Sequence, residues 1–150
     1  MEITEILNDH TIVTNMNFKD KHDALCGLSQ LLLENEYITN VESFLADVYA
    51  REKVGQTGIG NYIAIPHGKS DFVNEIGVAI GINNSEISWE TMDGKGVRGI
   101  ILFAVGNDNE GAKNHLKLLS LFARKLGNDE VIDKLLKSVK TEDVKDAFAN

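Results

Sequence analysis

Apolar residues recur at three- and four-residue spacing over residues 19–34, where Ala24, Leu25, Leu28, Leu31 and Leu32 fall on one stripe. That spacing predicts an amphipathic helix. A second helix is predicted from Thr39-Asn40-Val41-Glu42, which has the capping-box form of a threonine with glutamate three residues later. It runs to residue 53, with Val41, Phe44, Leu45 and Val48 on its inner face, and Gly55 and Gly58 stand where a helix would stop. Further helices are expected over residues 111–126, stopped by Gly127, over 129–139, and from a cap at Thr141 to the end.

Between the helices the period changes. Residues 11–14 and 62–65 are short β-branched or apolar runs of strand length, and residues 76–82 form a longer one. Ile87 and Trp89 mark a short edge strand, and Asp93-Gly94 is a turn signal. Residues 97–105 include Ile100, Ile101, Leu102, Phe103, Ala104 and Val105, apolar on both alternating faces. A strand of that kind is covered on both sides, as in a central sheet between helix layers. The expected fold is α/β: a single domain over residues 1–150 with a small mixed β-sheet and helices on both faces.

Composition narrows the classes of function. With 43% hydrophobic and 25% charged residues the chain is globular, and a chain of this length buries about 68–70% of its unfolded surface. One cysteine, Cys26, leaves no internal disulfide framework, so a reducing, cytoplasmic setting is expected. The acidic opening of Met1 to Glu5 lacks the pattern of a signal peptide. No run approaches the roughly 20 apolar residues of a membrane helix, so no membrane insertion is expected. A net charge of −8 argues against nucleic acid as a partner.

The candidate chemistry gathers around residues 57–70, "TGIGNYIAIPHGKS". His67 follows Pro66, the only proline, and precedes Gly68. A neutral imidazole is a nucleophile near pH 7, here held by a residue of fixed φ and left approachable by a glycine that gives room for a bulky group. The competing reading is a loop histidine beside a turn proline. Arg51, in the last turn of the second helix, suits that end electrostatically or serves as an anion clamp folded over the glycine loop. His115 shares the stripe of Leu118, Leu119, Phe122 and Leu126, so it either makes a core hydrogen bond or points into a site. His10 and His22 read as solvated. Were neutral His67 a nucleophile, reaction would slow as pH fell through the ordinary histidine range.

Other motifs fail on spacing. Gly68-Lys69-Ser70 resembles the end of a P-loop, but Ile63 stands where that motif needs a glycine. Gly58 and Gly60 begin a dinucleotide fingerprint that a strand, not a helix, follows. Four scattered histidines and one cysteine make no zinc pattern, and no Gly-x-Ser-x-Gly elbow is present.

The stretch "REKVGQTGIGNYIAIPHGKSD" over residues 51–71, with "NHLKLLSLFARKL" over 114–126, resembles the fructose/mannitol-type enzyme IIA domains of the bacterial sugar phosphotransferase system. The resemblance runs along essentially the whole chain and is nearest to the fructose-specific branch. It implies a phosphoryl relay: phosphate is accepted from the carrier HPr on His67 and passed to an enzyme IIB domain. It places the phosphoryl group on Nε2 and leaves Nδ1 to hold a hydrogen bond that fixes the ring. His115 and Arg51 are implied neighbours of the phosphate, with Thr57, Gly58 and Gly68 as phosphate-positioning loop contacts and Lys69 and Ser70 as partner contacts or solvated residues. Neither metal nor organic cofactor is implied. A nitrogen-type regulatory IIA, which acts by phosphorylation-dependent protein binding, has an overlapping signature and is the alternative.

Overall fold

The computed structural model describes residues 2–149. Its centre is the pair of longest apolar strands, β5 (Gly77–Ile87) and β6 (Val97–Gly106), which run antiparallel. Strand β1 (Ile12–Met16) pairs in parallel with β5. The other edge of β6 takes two short strands in succession, β3 (Ile63–Ala64) and β4 (His67–Ser70), both parallel to it. Strand β2 (Gly58–Gly60) lies antiparallel outside β3, so the sheet is mixed.

Strands β3 and β4 form one interrupted line. Ile63 pairs with Gly99 and His67 with Phe103, an unchanged register. The break falls at Ile65-Pro66. Proline has no N–H for a ladder, and the amide of Ile65 turns away to donate to the Thr57 carbonyl at 2.9 Å. Pro66 still accepts from the Phe103 amide at 3.0 Å, so the chain resumes pairing at His67. The sequence reading put His67 after the end of a strand; it opens one.

Alternation along β6 divides the core. Ile101, Phe103 and Val105 pack with Ile3, Leu118, Phe122, Leu126, Leu135 and Phe148, from α1 (Ile3–Ile6), α4 (Asn109–Leu126), α5 (Asp129–Leu136) and α6 (Thr141–Ala149). Ile100, Leu102 and Ala104 pack with Leu25, Leu28, Leu32, Phe44 and Val48 from α2 (Lys21–Glu34) and α3 (Val41–Val54). Helices thus cover both faces, as the doubly apolar strand required.

Local details depart from the sequence reading. The cap of α3 is Asn40, whose side chain accepts from the Ser43 amide at 2.8 Å; the Thr39 hydroxyl instead faces the Phe72 carbonyl. Asparagine is at least as good a cap as threonine, so the helix starts one residue later. Ile87 is the last residue of β5 and Trp89 lies outside any strand. His22 is exposed but engaged, with Nδ1 2.6 Å from the Tyr49 hydroxyl and Nε2 3.3 Å from Cys26 Sγ.

Gly68 has a packing reason. A Cβ there would sit 2.1 Å from Cε1 of Phe44, a wholly buried ring. Gly68→Ala should therefore lower stability by about 1–3 kcal/mol, the usual cost of overpacking a core. Urea denaturation measures it, and an unchanged midpoint would mean that Phe44 moves aside freely.

Candidate active site

The β4 register points His67 toward the α4 side of the sheet, where its ring lies 5.3 Å from Phe103 between centroids. The residue is 4% exposed. Its Nδ1 is closed off from solvent. The carbonyls of Ile65 and Pro66 lie against the ring and raise its proton affinity, although neither meets strict hydrogen-bond geometry at Nδ1.

His115 arrives from α4. Asp108 caps that helix by accepting from the Gly111 amide at 2.7 Å. A Cβ on Gly111 would fall within 1.7 Å of the Gly106 carbonyl, so only glycine lets α4 start this tightly against the end of β6. His115 follows one turn later, and its ring meets that of His67 edge-to-face, with centroids 4.6 Å apart and planes at 89°. Its Nε2 is buried without a partner. The histidine on an apolar stripe thus makes no core hydrogen bond; it borders His67.

Arg51 comes from the other helix layer, in the last turn of α3. Its Nη1 donates to the Gly55 carbonyl at 2.8 Å, which leaves the other guanidinium N–H groups unused. Its positive charge acts on both His67 and His115, so the three residues share one electrostatic site.

Burial, His115 and Arg51, in that order, hold the His67 imidazole down to a pKa of about 4 from 6.5, against the smaller upward pull of the two carbonyls. His115 is also lowered, by burial and then by the charges of Lys69 and Arg51. Two neutral imidazoles beside one guanidinium offer a lone pair for attack and a net positive field for an arriving dianion. The pH expectation moves accordingly: His67 stays neutral through the range where an ordinary histidine titrates. An NMR titration should give a His67 midpoint near 4, and one near 6.5 would contradict the buried site. The stability that His67 contributes by staying neutral is complete above pH 6.5 and is lost as pH falls toward about 4, because only the unfolded chain binds the proton in that window.

The chain matches the family model described as phosphoenolpyruvate-dependent sugar phosphotransferase system, EIIA 2, over residues 5–150. It belongs to that phosphotransferase family. Among relatives, the Escherichia coli PTS system 2-O-alpha-mannosyl-D-glycerate-specific EIIABC component is 30% identical over 87% of this chain and 20% of its own length. The Bacillus subtilis fructose-specific EIIABC component is 31% identical over 92% and 21%. This chain therefore spans about a fifth of those two proteins. The Bacillus subtilis mannitol-specific phosphotransferase enzyme IIA component is 30% identical over 93% of this chain and 94% of its own. The crystal structure of nitrogen regulatory protein IIA-Ntr from Neisseria meningitidis superposes with a TM-score of 0.87 at 28% identity, covering 98% and 99% of the two chains. Enzyme IIAMTL of Escherichia coli, in complex with phosphorylated IIBMTL, has the same fold, with a TM-score of 0.78 at 21% identity and coverage of 95% and 96%.

In this EIIA family member the three loop residues singled out in the sequence have structural work of their own. The Thr57 hydroxyl donates to Glu52 Oε2 at 2.6 Å. A Cβ on Gly58 would meet the Glu90 carbonyl at 2.5 Å, and Gly68 faces Phe44. Gly68 thus makes room for a core ring, where the sequence reading gave it room for a bulky group. Lys69 is exposed on β4, yet its charge reaches His115. Ser70 is buried and its hydroxyl accepts from the Phe72 amide at 3.1 Å. Sequence reasoning missed Phe103, the wall behind His67, and Glu52, the partner of Thr57. The β6 alternation carried a signal for Phe103. For Glu52 the signal was an acidic residue in the last turn of a helix, where the macrodipole disfavours it.

Proposed function

We propose that this chain, residues 1–150 acting as one EIIA domain, relays a phosphoryl group in sugar uptake through a phosphohistidine at His67. The observation that carries the reading is the pairing of a buried neutral imidazole, set edge-to-face against His115 with its unpartnered nitrogen, with a guanidinium that has N–H groups to spare.

In the step proposed, the Nε2 lone pair attacks the phosphorus of a phosphohistidine on HPr. The new N–P bond forms as the donor N–P bond breaks, and the donor imidazole leaves with the electron pair. Charge spread over the equatorial oxygens is met by Arg51 and by an N–H of His115, which requires the tautomer protonated at Nε2. Each charge-assisted hydrogen bond of this kind is worth roughly 1.5–3 kcal/mol. Return of the group to an enzyme IIB partner is the same in-line displacement run outward. No metal enters the step, and the reaction belongs in the cytoplasm, where such carriers work.

A regulatory reading has support of its own in the 0.87 TM-score to nitrogen regulatory protein IIA-Ntr. One experiment separates the two. The phosphorylated protein is mixed with candidate IIB domains, fructose-type first, and the phosphoryl group is followed. Fast discharge onto a IIB supports transport. A stable phosphoprotein that no IIB discharges, yet which gains or loses a protein partner on phosphorylation, supports regulation.

A further inference from the structure

Two charges stand at helix ends of the wrong sign. Lys21 is the first residue of α2, and Glu52 lies in the last turn of α3. The macrodipole disfavours a cation at the first position and an anion at the second. They pair with each other: Lys21 Nζ is 2.7 Å from Glu52 Oε1, with side chains 18% and 6% exposed. A pair so far removed from water is weak evidence of net stability, and fixing one arrangement is the better-attested use of such pairs.

The pair continues into the glycine loop. Glu52 accepts from the Thr57 hydroxyl with its second oxygen. Lys21 also reaches Glu90 Oε1 at 3.2 Å and lies 5.0 Å from the Trp89 ring centroid. Residues 52 and 57 are thereby tied together, and between them lies Gly55, whose carbonyl holds the Arg51 guanidinium. Gly55 and Gln56 are exposed, and a Cβ on Gly55 would meet nothing within 4 Å. Packing does not orient the loop at Gly55; its anchored ends do.

We propose that the Lys21–Glu52–Thr57 chain is a positioning device that fixes the 55–57 loop so that the Gly55 carbonyl aims the Arg51 guanidinium at the His67/His115 site. It rests on the reading that His67 carries the phosphoryl group. None of the three side chains is asked to touch that group; they act through Arg51.

The test is Glu52→Gln, which keeps the size of the side chain and an acceptor for Thr57 but removes the charge. Single-turnover transfer from phosphorylated HPr should slow by as much as about 10²-fold, the scale of a misaimed group, with little change in the donor concentration for half-saturation. In an NMR titration the His67 midpoint should rise from about 4 toward that of Arg51→Gln. The groups acting on His67 are His115 from α4, Arg51 from α3 and the carbonyls of Ile65 and Pro66; Glu52 is not among them. The double variant Arg51→Gln/Glu52→Gln should transfer no more slowly than Arg51→Gln alone. Thr57→Val should move rate and midpoint the same way by less, and it carries the test if Glu52→Gln does not fold. A lower Tm with rate and midpoint unmoved would overturn the proposal, as would losses that multiply in the double variant. If the parent protein accepts no phosphoryl group, the relay reading fails, while the titrations still decide the positioning claim.

Discussion

His67→Ala is expected to accept no phosphoryl group from HPr, while its circular dichroism and denaturation midpoint stay close to those of the parent. Loss is expected to be complete because the substitution removes the nucleophile; the other groups only stabilise what it receives. The fold should survive because the ring removed makes no hydrogen bond of strict geometry through Nδ1. Deleting a buried polar group without a partner also relieves a desolvation cost, which offsets the lost contact with Phe103. Intact mass after incubation with phosphoenolpyruvate, enzyme I and HPr gives the result. A variant that still gains one phosphoryl group would move the acceptor elsewhere.

Arg51→Gln is expected to slow transfer by about 10²–10³, the usual loss when one preorganised donor is removed from a developing anion. The residue is half-buried and its guanidinium donates to the Gly55 carbonyl, so the structural cost is small. Losing a cation at the end of α3 adds about 0.3–1 kcal/mol of helix electrostatics at most. The loss should therefore appear in the rate of the transfer step and not in the Tm. Arg51→Lys keeps the charge without the planar fork and should recover part of it. A rate for Arg51→Gln within about twofold of the parent would reduce this residue to helix-end electrostatics.

Much of this was legible in the chain. The run from Ile100 to Val105 could only be a strand covered on both sides, and it became β6, the strand on which the rest is aligned. Arg51, His67 and His115, far apart in the chain, share one electrostatic environment. What could not be read was contact at a distance. Nothing local to Gly68 says that Phe44 lies against it, so its neighbours in the chain suggest only room for a ligand. His67 carries no mark of its depth, so the sequence alone implies an ordinary histidine pKa. At the start of α3 Asn40 takes the cap, which it fills at least as well as threonine, and the Thr39 hydroxyl faces the Phe72 carbonyl instead. The Lys21–Glu52 pair joins residues 31 positions apart; each alone looks like a misplaced surface charge.

The relay at His67 is tested most directly by locating the phosphoryl group. The protein would be phosphorylated through phosphoenolpyruvate, enzyme I and HPr, then its imidazole nitrogens observed by NMR alongside peptide mapping. One acid-labile phosphoryl group on Nε2 of His67 is the predicted result. A folded protein that takes no phosphoryl group, or takes it on His115 or on Nδ1 of His67, would contradict it.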